Sequence, residues 1–331
     1  ESKSKTIWKS RNSTGSIYWS FKNSKRKMMK KLLVIQARPG IGDLCVFLPF
    51  IHKLCEKYKD YEVTLITKKR TRANELLKHD PFIKNILYLS DENRFKLNLD
   101  LFKKIRRGKF EKAFIMHYGL RYYFLCKLSF IKNIKYYGIF KKNESIVQKI
   151  SNETKKWIGD KNIIFEPKIF LGKKPLKKKY ICLGIGGSGN NKKWKIDYFK
   201  KLIEKISLNS KNNNTFILAG GVNELKEAQY LIENLLKNTF ISLCDLSIEK
   251  SLDYLSSSFL YIGNDTSFMH ICGSLKIKSF GIFGDTPPDY CSYNKNIIPI
   301  LPPEDKFITH GSRKMDAILP NYIFENIKDF I

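Results

Sequence analysis

A chain of 331 residues, 43% of them apolar, is long enough for two domains of ordinary size. Its 61 Lys and Arg against 31 Asp and Glu leave a net charge of +30. That field favours acidic partners such as a phosphorylated glycolipid or an anionic membrane surface, while no recognised nucleic-acid motif accompanies it, so no specific nucleic-acid partner is expected. The seven cysteines are scattered and lack any C-x-x-C pair, which excludes a disulfide framework or structural zinc and fits buried thiols in a reducing cytoplasm.

The first 31 residues hold ten basic side chains and one acid, without apolar periodicity. Residues 1–28 therefore read as a disordered or artefactual basic extension ahead of the first strand. They contain no apolar core of signal-peptide length, and the longest strong apolar run of the chain, 44–51, is far too short to span a bilayer. From Lys31 onward, apolar strands at 32–36, 63–67, 86–89, 112–117 and 135–139 alternate with helices, notably 44–57 and 99–107. The pattern breaks over 141–179, a charged, irregular stretch ending in a lysine-rich run. A second series follows, with strands at 180–184, 215–219, 240–243, 259–262 and 278–283. Helices near 198–207, 224–237, 248–256 and 268–275 lie between them. Such alternation predicts an α/β fold of two Rossmann-like, doubly wound parallel-sheet domains facing each other across a cleft. The expected division is a domain over 29–150, a linker over 151–179 and a second domain over 180–331.

Ligands of such sheets bind at the carboxyl ends of the strands, and two strand ends carry suitable chemistry. Strand 32–36 runs into Arg38-Pro39-Gly40-Ile41-Gly42-Asp43, where the glycines allow a sharp turn and close approach. This is not the dinucleotide fingerprint, because Cys45 stands where its third glycine belongs. Asp43, in the first turn of the following helix, is placed to cap it, to act as a base, or both. Strand 259–262 ends in Gly263-Asn264-Asp265-Thr266-Ser267, directly before a helix. Unpaired N–H groups and the helix dipole suit that turn to a phosphate, although Asp265 or Thr266 serve equally as simple caps. A third segment, Gly184-Ile185-Gly186-Gly187-Ser188-Gly189, precedes Lys192 and Trp194.

Gly42-Asp43 with Pro49, Lys192-Lys193-Trp194, and Asn264 through His270 resemble, in order and spacing, the motifs of glycosyltransferase family 9. These are the bacterial heptosyltransferases of lipopolysaccharide core synthesis, and the resemblance covers roughly 29–283. It implies the GT-B fold and an inverting, metal-independent transfer of a sugar, heptose from ADP-heptose, onto a lipopolysaccharide core or related surface glycan. Asp43 would be the general base. Ser188, Lys192, Asp265, Thr266, Ser267 and His270 would hold the donor, with Glu224, after the Gly220-Gly221 turn, on the ribose hydroxyls. Gly42, Lys69, Arg70, Arg72, His117 and Arg121 fall at strand ends of the first domain and would meet the acceptor, the arginines through bidentate bonds to phosphate or carboxylate. The implied partners are a nucleotide-sugar donor, which is substrate rather than cofactor, and a phosphorylated glycolipid acceptor. A monomer is expected, in the cytoplasm and peripheral at the cytoplasmic face of the inner membrane. Aromatics over 122–137 interleaved with Lys127, Lys132 and Lys135 offer a docking surface there. Two features depart from the pattern: Ser267 replaces the usual glycine, and the unusual stretch 284–291 hints at a branch with its own specificity. Other readings are a different GT-B nucleotide-sugar enzyme, with another donor or epimerase chemistry, and a basic nucleic-acid-binding protein.

Overall fold

A computed structural model describes residues 29–89, 94–138, 144–173, 179–210, 214–305 and 307–331, with the short segments 9–11 and 17–19. In the basic N-terminal stretch, β1 (Lys9–Arg11) and β2 (Ile17–Trp19) pair antiparallel as a sheet of their own.

The first large sheet grows from β3 (Lys30–Ile35), followed by α1 (Ile41–Lys57), β4 (Tyr61–Lys68) and the short α2 (Ala73–Leu76). The chain continues through β5 (Ile83–Leu89), α3 (Arg94–Gly108), β6 (Lys112–Ile115), α4 (Leu120–Leu128) and β7 (Asn133–Tyr136). All five large-sheet strands are parallel, in the order β5-β4-β3-β6-β7. Along β3, Leu32 and Val34 enter one core while Leu33 and Ile35 enter another. Burial on both faces is why this strand reads as one continuous apolar run.

α5 (Ile146–Ile158) lies within the stretch expected to be irregular. Ser145 and Gln148 form a capping box at its start, and Gly159, with φ of 80°, ends it. It packs on α1. The second series then runs β8 (Tyr180–Gly184), α6 (Ile196–Asn209), β9 (Thr215–Ala219), α7 (Leu225–Asn234), β10 (Thr239–Ser242) and α8 (Ile248–Ser256). It closes with β11 (Ser258–Asn264), α9 (Ser267–Ser274), β12 (Lys278–Ile282), β13 (Ile297–Ile300) and α10 (Pro320–Ile327). These six strands are also parallel, in the order β10-β9-β8-β11-β12-β13.

Each sheet thus starts at its centre, winds outward to one edge and returns to build the other. Its switch point lies between β3 and β6 in the first half and between β8 and β11 in the second. The long apolar helix α1 is buried almost throughout, from Leu44 to Leu48 and beyond, because it lies between the first sheet, α5 and α9 of the other half. A helix apolar on every side is a helix covered on every side. Among the described residues, no helix is long and apolar enough to cross a membrane.

Candidate functional site

Both switch points open onto one cavity of about 580 Å³, within the usual range for small-molecule sites. Two helix N-termini meet at it, because Gly42 at the start of α1 lies against His270 and Ser267 of α9. A Cβ on Gly42 would stand 2.9 Å from His270 Cδ2, so glycine is what allows the halves to come this close.

On the α1 side, Asp43 folds back onto its own turn. Its Oδ2 accepts from Gly40 N–H at 3.0 Å and its Oδ1 from Arg38 Nε at 2.6 Å. Asp43 is therefore both a cap and a cavity-lining carboxylate, 17% exposed. Arg38 also donates from Nη2 to the hydroxyl of Tyr290, which reaches in from the other half of the molecule. Burial pushes the Tyr290 hydroxyl up to about 12, against the pull of Arg38.

On the opposite wall, Gly263 of β11 pairs with Gly184 of β8 so closely that a Cβ on Gly263 would meet Gly184 backbone at 2.5 Å. Beyond that point the two strand ends are tied by one buried amide. Asn264 Oδ1 accepts from Trp194 N–H at 2.9 Å, while Asn264 Nδ2 donates to the carbonyls of Gly186 at 2.8 Å and Ile185 at 3.2 Å. The loop carrying Ser188 and Lys192 is anchored at both ends by this side chain. Thr266 occupies the cap position of α9 without capping it. Its hydroxyl faces Tyr261 OH at 3.3 Å instead, and Thr266, Ser267 and Phe268 line the cavity.

Asp265 and His270 form a second buried group. His270 Nε2 is 3.6 Å from Asp265 Oδ1, and its Nδ1 is 2.9 Å from Tyr293 OH. Burial pushes the Asp265 carboxyl up, but His270, Lys192 and the Thr286 hydroxyl together hold it below the usual carboxylate range. Glu224 is buried beside the Gly220–Gly221 turn, its Oε2 accepting from Gly221 N–H at 2.8 Å. Its Oε1 pairs with Lys193 at 2.7 Å.

The fold therefore brings Gly42, Asp43, Arg70, Ser188, Lys192, Glu224, Asp265, Thr266, Ser267 and His270 to one cavity. Four residues expected at the acceptor side do not line it. Lys69 is exposed beside the short turn of 69–71. Arg72 adopts a left-handed conformation and pairs with Glu75 at 2.7 Å on the surface. Arg121 lies over the Tyr122 ring and donates to its hydroxyl at 2.6 Å. His117 accepts from Gly119 N–H and stacks on Tyr118. Burial, then the charges of Arg121, Arg38 and Lys68, lower it to about 4, so it is neutral near pH 7. Sequence reasoning in turn missed Arg38, Thr286, Tyr290 and His310 as cavity residues. Thr286 and Tyr290 belong to the stretch already marked as unusual, and Arg38 to the first motif. No comparable signal marks His310.

The model of glycosyltransferase family 9 (heptosyltransferase) matches residues 136–309. The solved E. coli heptosyltransferase WaaC with ADP-2-deoxy-2-fluoro heptose superposes with a TM-score of 0.71 at 13% identity, over 91% of this chain and 100% of that one. E. coli ADP-heptose lps heptosyltransferase II gives 0.70 at 14%, covering 90% and 98%. The family 9 glycosyl transferase from Veillonella parvula gives 0.74 at 16%, covering 91% and 96%. A search of the curated proteins finds no match. At these identities the superpositions show the two-domain GT-B fold, and the family model spans over half the sequence: the chain belongs to glycosyltransferase family 9, the heptosyltransferase family.

Proposed function

We propose that this glycosyltransferase is inverting and metal-independent, moving heptose from ADP-heptose to a lipopolysaccharide core or related surface glycan. The observation that carries the reading is convergence. One carboxylate from the first half faces a wall from the second that combines Lys192, the Ser188 hydroxyl and the N-terminal amides of α9, across a space that fits a nucleotide-sugar.

In the proposed step an acceptor hydroxyl oxygen attacks the sugar's anomeric carbon from the face opposite the diphosphate. The anomeric C–O bond breaks, the nucleoside diphosphate departs, and Asp43 takes the hydroxyl proton. Arg38 and Gly40 each donate to a different Asp43 oxygen, which fixes the plane of the carboxylate. Charge developing on the diphosphate meets Lys192, the Ser188 hydroxyl and the N-terminus of α9 at Thr266 and Ser267, a preorganised electrostatic wall. These groups do the work a divalent ion does in other transferases. Glu224 Oε2, at a strand end beside two glycines, accepts from ribose hydroxyls. Asp265 and His270 support the wall from behind, since both His270 ring nitrogens face protein partners. Arg70 is the acceptor-side cation at the cavity.

The adenine-linked donor is favoured because E. coli WaaC, which shares the fold, is solved with ADP and with an ADP-heptose analogue. Calorimetric titration with ADP, UDP, GDP and CMP, each without and with magnesium, tests the reading. ADP binds preferentially and equally well without magnesium if it is right. A preference for another nucleotide removes the heptose assignment, and binding that requires magnesium removes the metal-free mechanism.

A further inference from the structure

The Tyr290 hydroxyl crosses from the second half of the molecule to the first, where it accepts from Arg38 Nη2. The turn that carries it is braced on every side. Pro287 and Pro288 restrict the backbone where the turn Pro288–Cys291 begins. Within it, Tyr290 N–H donates to the Pro287 carbonyl and Cys291 Sγ to the Pro288 carbonyl. Cys291 is buried, and the turn packs both on β13 and on α5, which itself lies on α1. Tyr290 thus reaches the cavity half-buried and from a rigid support.

What the hydroxyl touches gives it a role. Arg38 donates from Nε to Asp43 Oδ1 at 2.6 Å, but its side chain is still 32% exposed. One ion pair open to water holds a long side chain poorly, because fixing its rotamers costs nearly what the pair contributes. A second acceptor on the same guanidinium changes this, since the planar fork is then held at two points. Tyr290 supplies an acceptor without a charge. Burial pushes its hydroxyl up to about 12, so it stays protonated near pH 7 and leaves the guanidinium charge to Asp43. Arg38 is therefore held between a carboxylate of its own half and a phenol of the other.

We propose that Tyr290 is a positioning residue for the transfer: it holds Arg38 across the cleft, and Arg38 in turn orients the Asp43 carboxylate. Neither Tyr290 nor Arg38 takes the proton, which goes to Asp43. The half that carries Tyr290 also carries Lys192 and the N-terminus of α9. The base is thereby tied to the wall against which the donor would lie, and separating the halves removes one of the two partners of Arg38. This gives the unusual stretch 284–291 a task in the reaction. The inference rests on the proposed base role of Asp43 and adds the source of its orientation.

The test is a double-mutant cycle of Tyr290→Phe and Arg38→Ala in the full chain, read in transfer from ADP-heptose to a phosphorylated core glycolipid, with ADP calorimetry and thermal melting beside it. Tyr290→Phe removes one oxygen and keeps the ring, so melting temperature and ADP affinity stay native. Its kcat falls about tenfold, with the donor KM within about twofold of native. Arg38→Ala loses about a hundredfold, and adding Tyr290→Phe to it costs nothing more, because Tyr290 acts through Arg38. Losses that multiply to about a thousandfold overturn the proposal, as does a native kcat in Tyr290→Phe, whether its melting temperature drops or its donor KM rises. A readout without donor is hydrogen exchange at Arg38 Nε–H by NMR, about tenfold faster in Tyr290→Phe if the hydroxyl holds the side chain. Equal exchange in both proteins overturns the proposal. Asp43→Asn separates the two readings. Transfer lost in Asp43→Asn but native in Tyr290→Phe removes the positioning role alone, whereas native transfer in Asp43→Asn removes the base assignment and the proposal with it.

Discussion

Asn264→Ala tests how the second half builds its wall. The Asn264 side chain is fully buried and makes three hydrogen bonds, accepting from Trp194 N–H and donating to the Ile185 and Gly186 carbonyls. Truncation leaves all three backbone groups without this partner in a dry site. At about 1 kcal/mol for each, the low end for an unsatisfied buried group, the loss is about 3 kcal/mol. A domain stable by ~5–15 kcal/mol remains folded after such a loss. The loop between the anchor points at Gly186 and Trp194 carries Ser188 and Lys192. Its loosening should weaken ADP binding by about tenfold, or ~1.4 kcal/mol. Urea unfolding gives the first number and calorimetry the second. Asn264→Asp should do no better, because it keeps the acceptor for Trp194 N–H but turns an oxygen toward two carbonyls. A stability change below about 0.5 kcal/mol in the alanine variant, with ADP affinity intact, would refute the anchoring role.

Two further outcomes follow from the geometry. Gly42→Val places a Cβ 2.9 Å from His270, which Tyr293 and Asp265 hold in place, so α1 and α9 must separate. Thermal melting should show a loss of about 1–3 kcal/mol, together with loss of transfer activity, and a variant with native melting and activity would show the contact to be soft. His117, lowered to about 4 in the fold, lies below its unfolded value of about 6.5. The unfolded chain therefore takes up the proton first, and the contribution of this ring to stability is lost as pH falls from about 6.5 through about 4. A histidine NMR titration should place its midpoint near 4, and a midpoint near 6.5 would mean the ring is open to water.

Much of this fold was legible because parallel strands covered on both faces appear as unbroken apolar runs. Those at 180–184 and 215–219 coincide with β8 and β9, and the alternation with helices gave the doubly wound order. What escaped had weak or misleading local signals. α5 hid among lysines although Ser145 and Gln148 spell a capping box, and its buried Lys149 sits 3.7 Å from both Glu144 and Glu153. β13 is an edge strand interrupted by Pro299, which breaks the apolar pattern without breaking the pairing to β12. At the cavity, glycine turns announced Asp43 and Thr266, since a turn is encoded locally. The Arg38–Tyr290 contact joins residues 252 apart and has no local signature. Strand-end position likewise placed Lys69, Arg72, His117 and Arg121 near the cleft, but side-chain direction is set by tertiary neighbours such as Glu75 and Tyr122.

The central claim, that Asp43 is the base in a cleft whose opposite wall holds the nucleotide, is tested most directly by Asp43→Asn. Transfer from ADP-heptose to a phosphorylated core glycolipid would be measured beside calorimetric ADP binding by the same protein. Asparagine keeps one acceptor, enough for the Gly40 N–H that closes the turn, but it turns an NH2 toward Arg38, so that pair is lost together with the proton acceptor. The account predicts a fall in transfer rate of about 10²–10⁴-fold with ADP affinity nearly unchanged. Transfer at the native rate, or a loss that tracks weakened ADP binding, would contradict it.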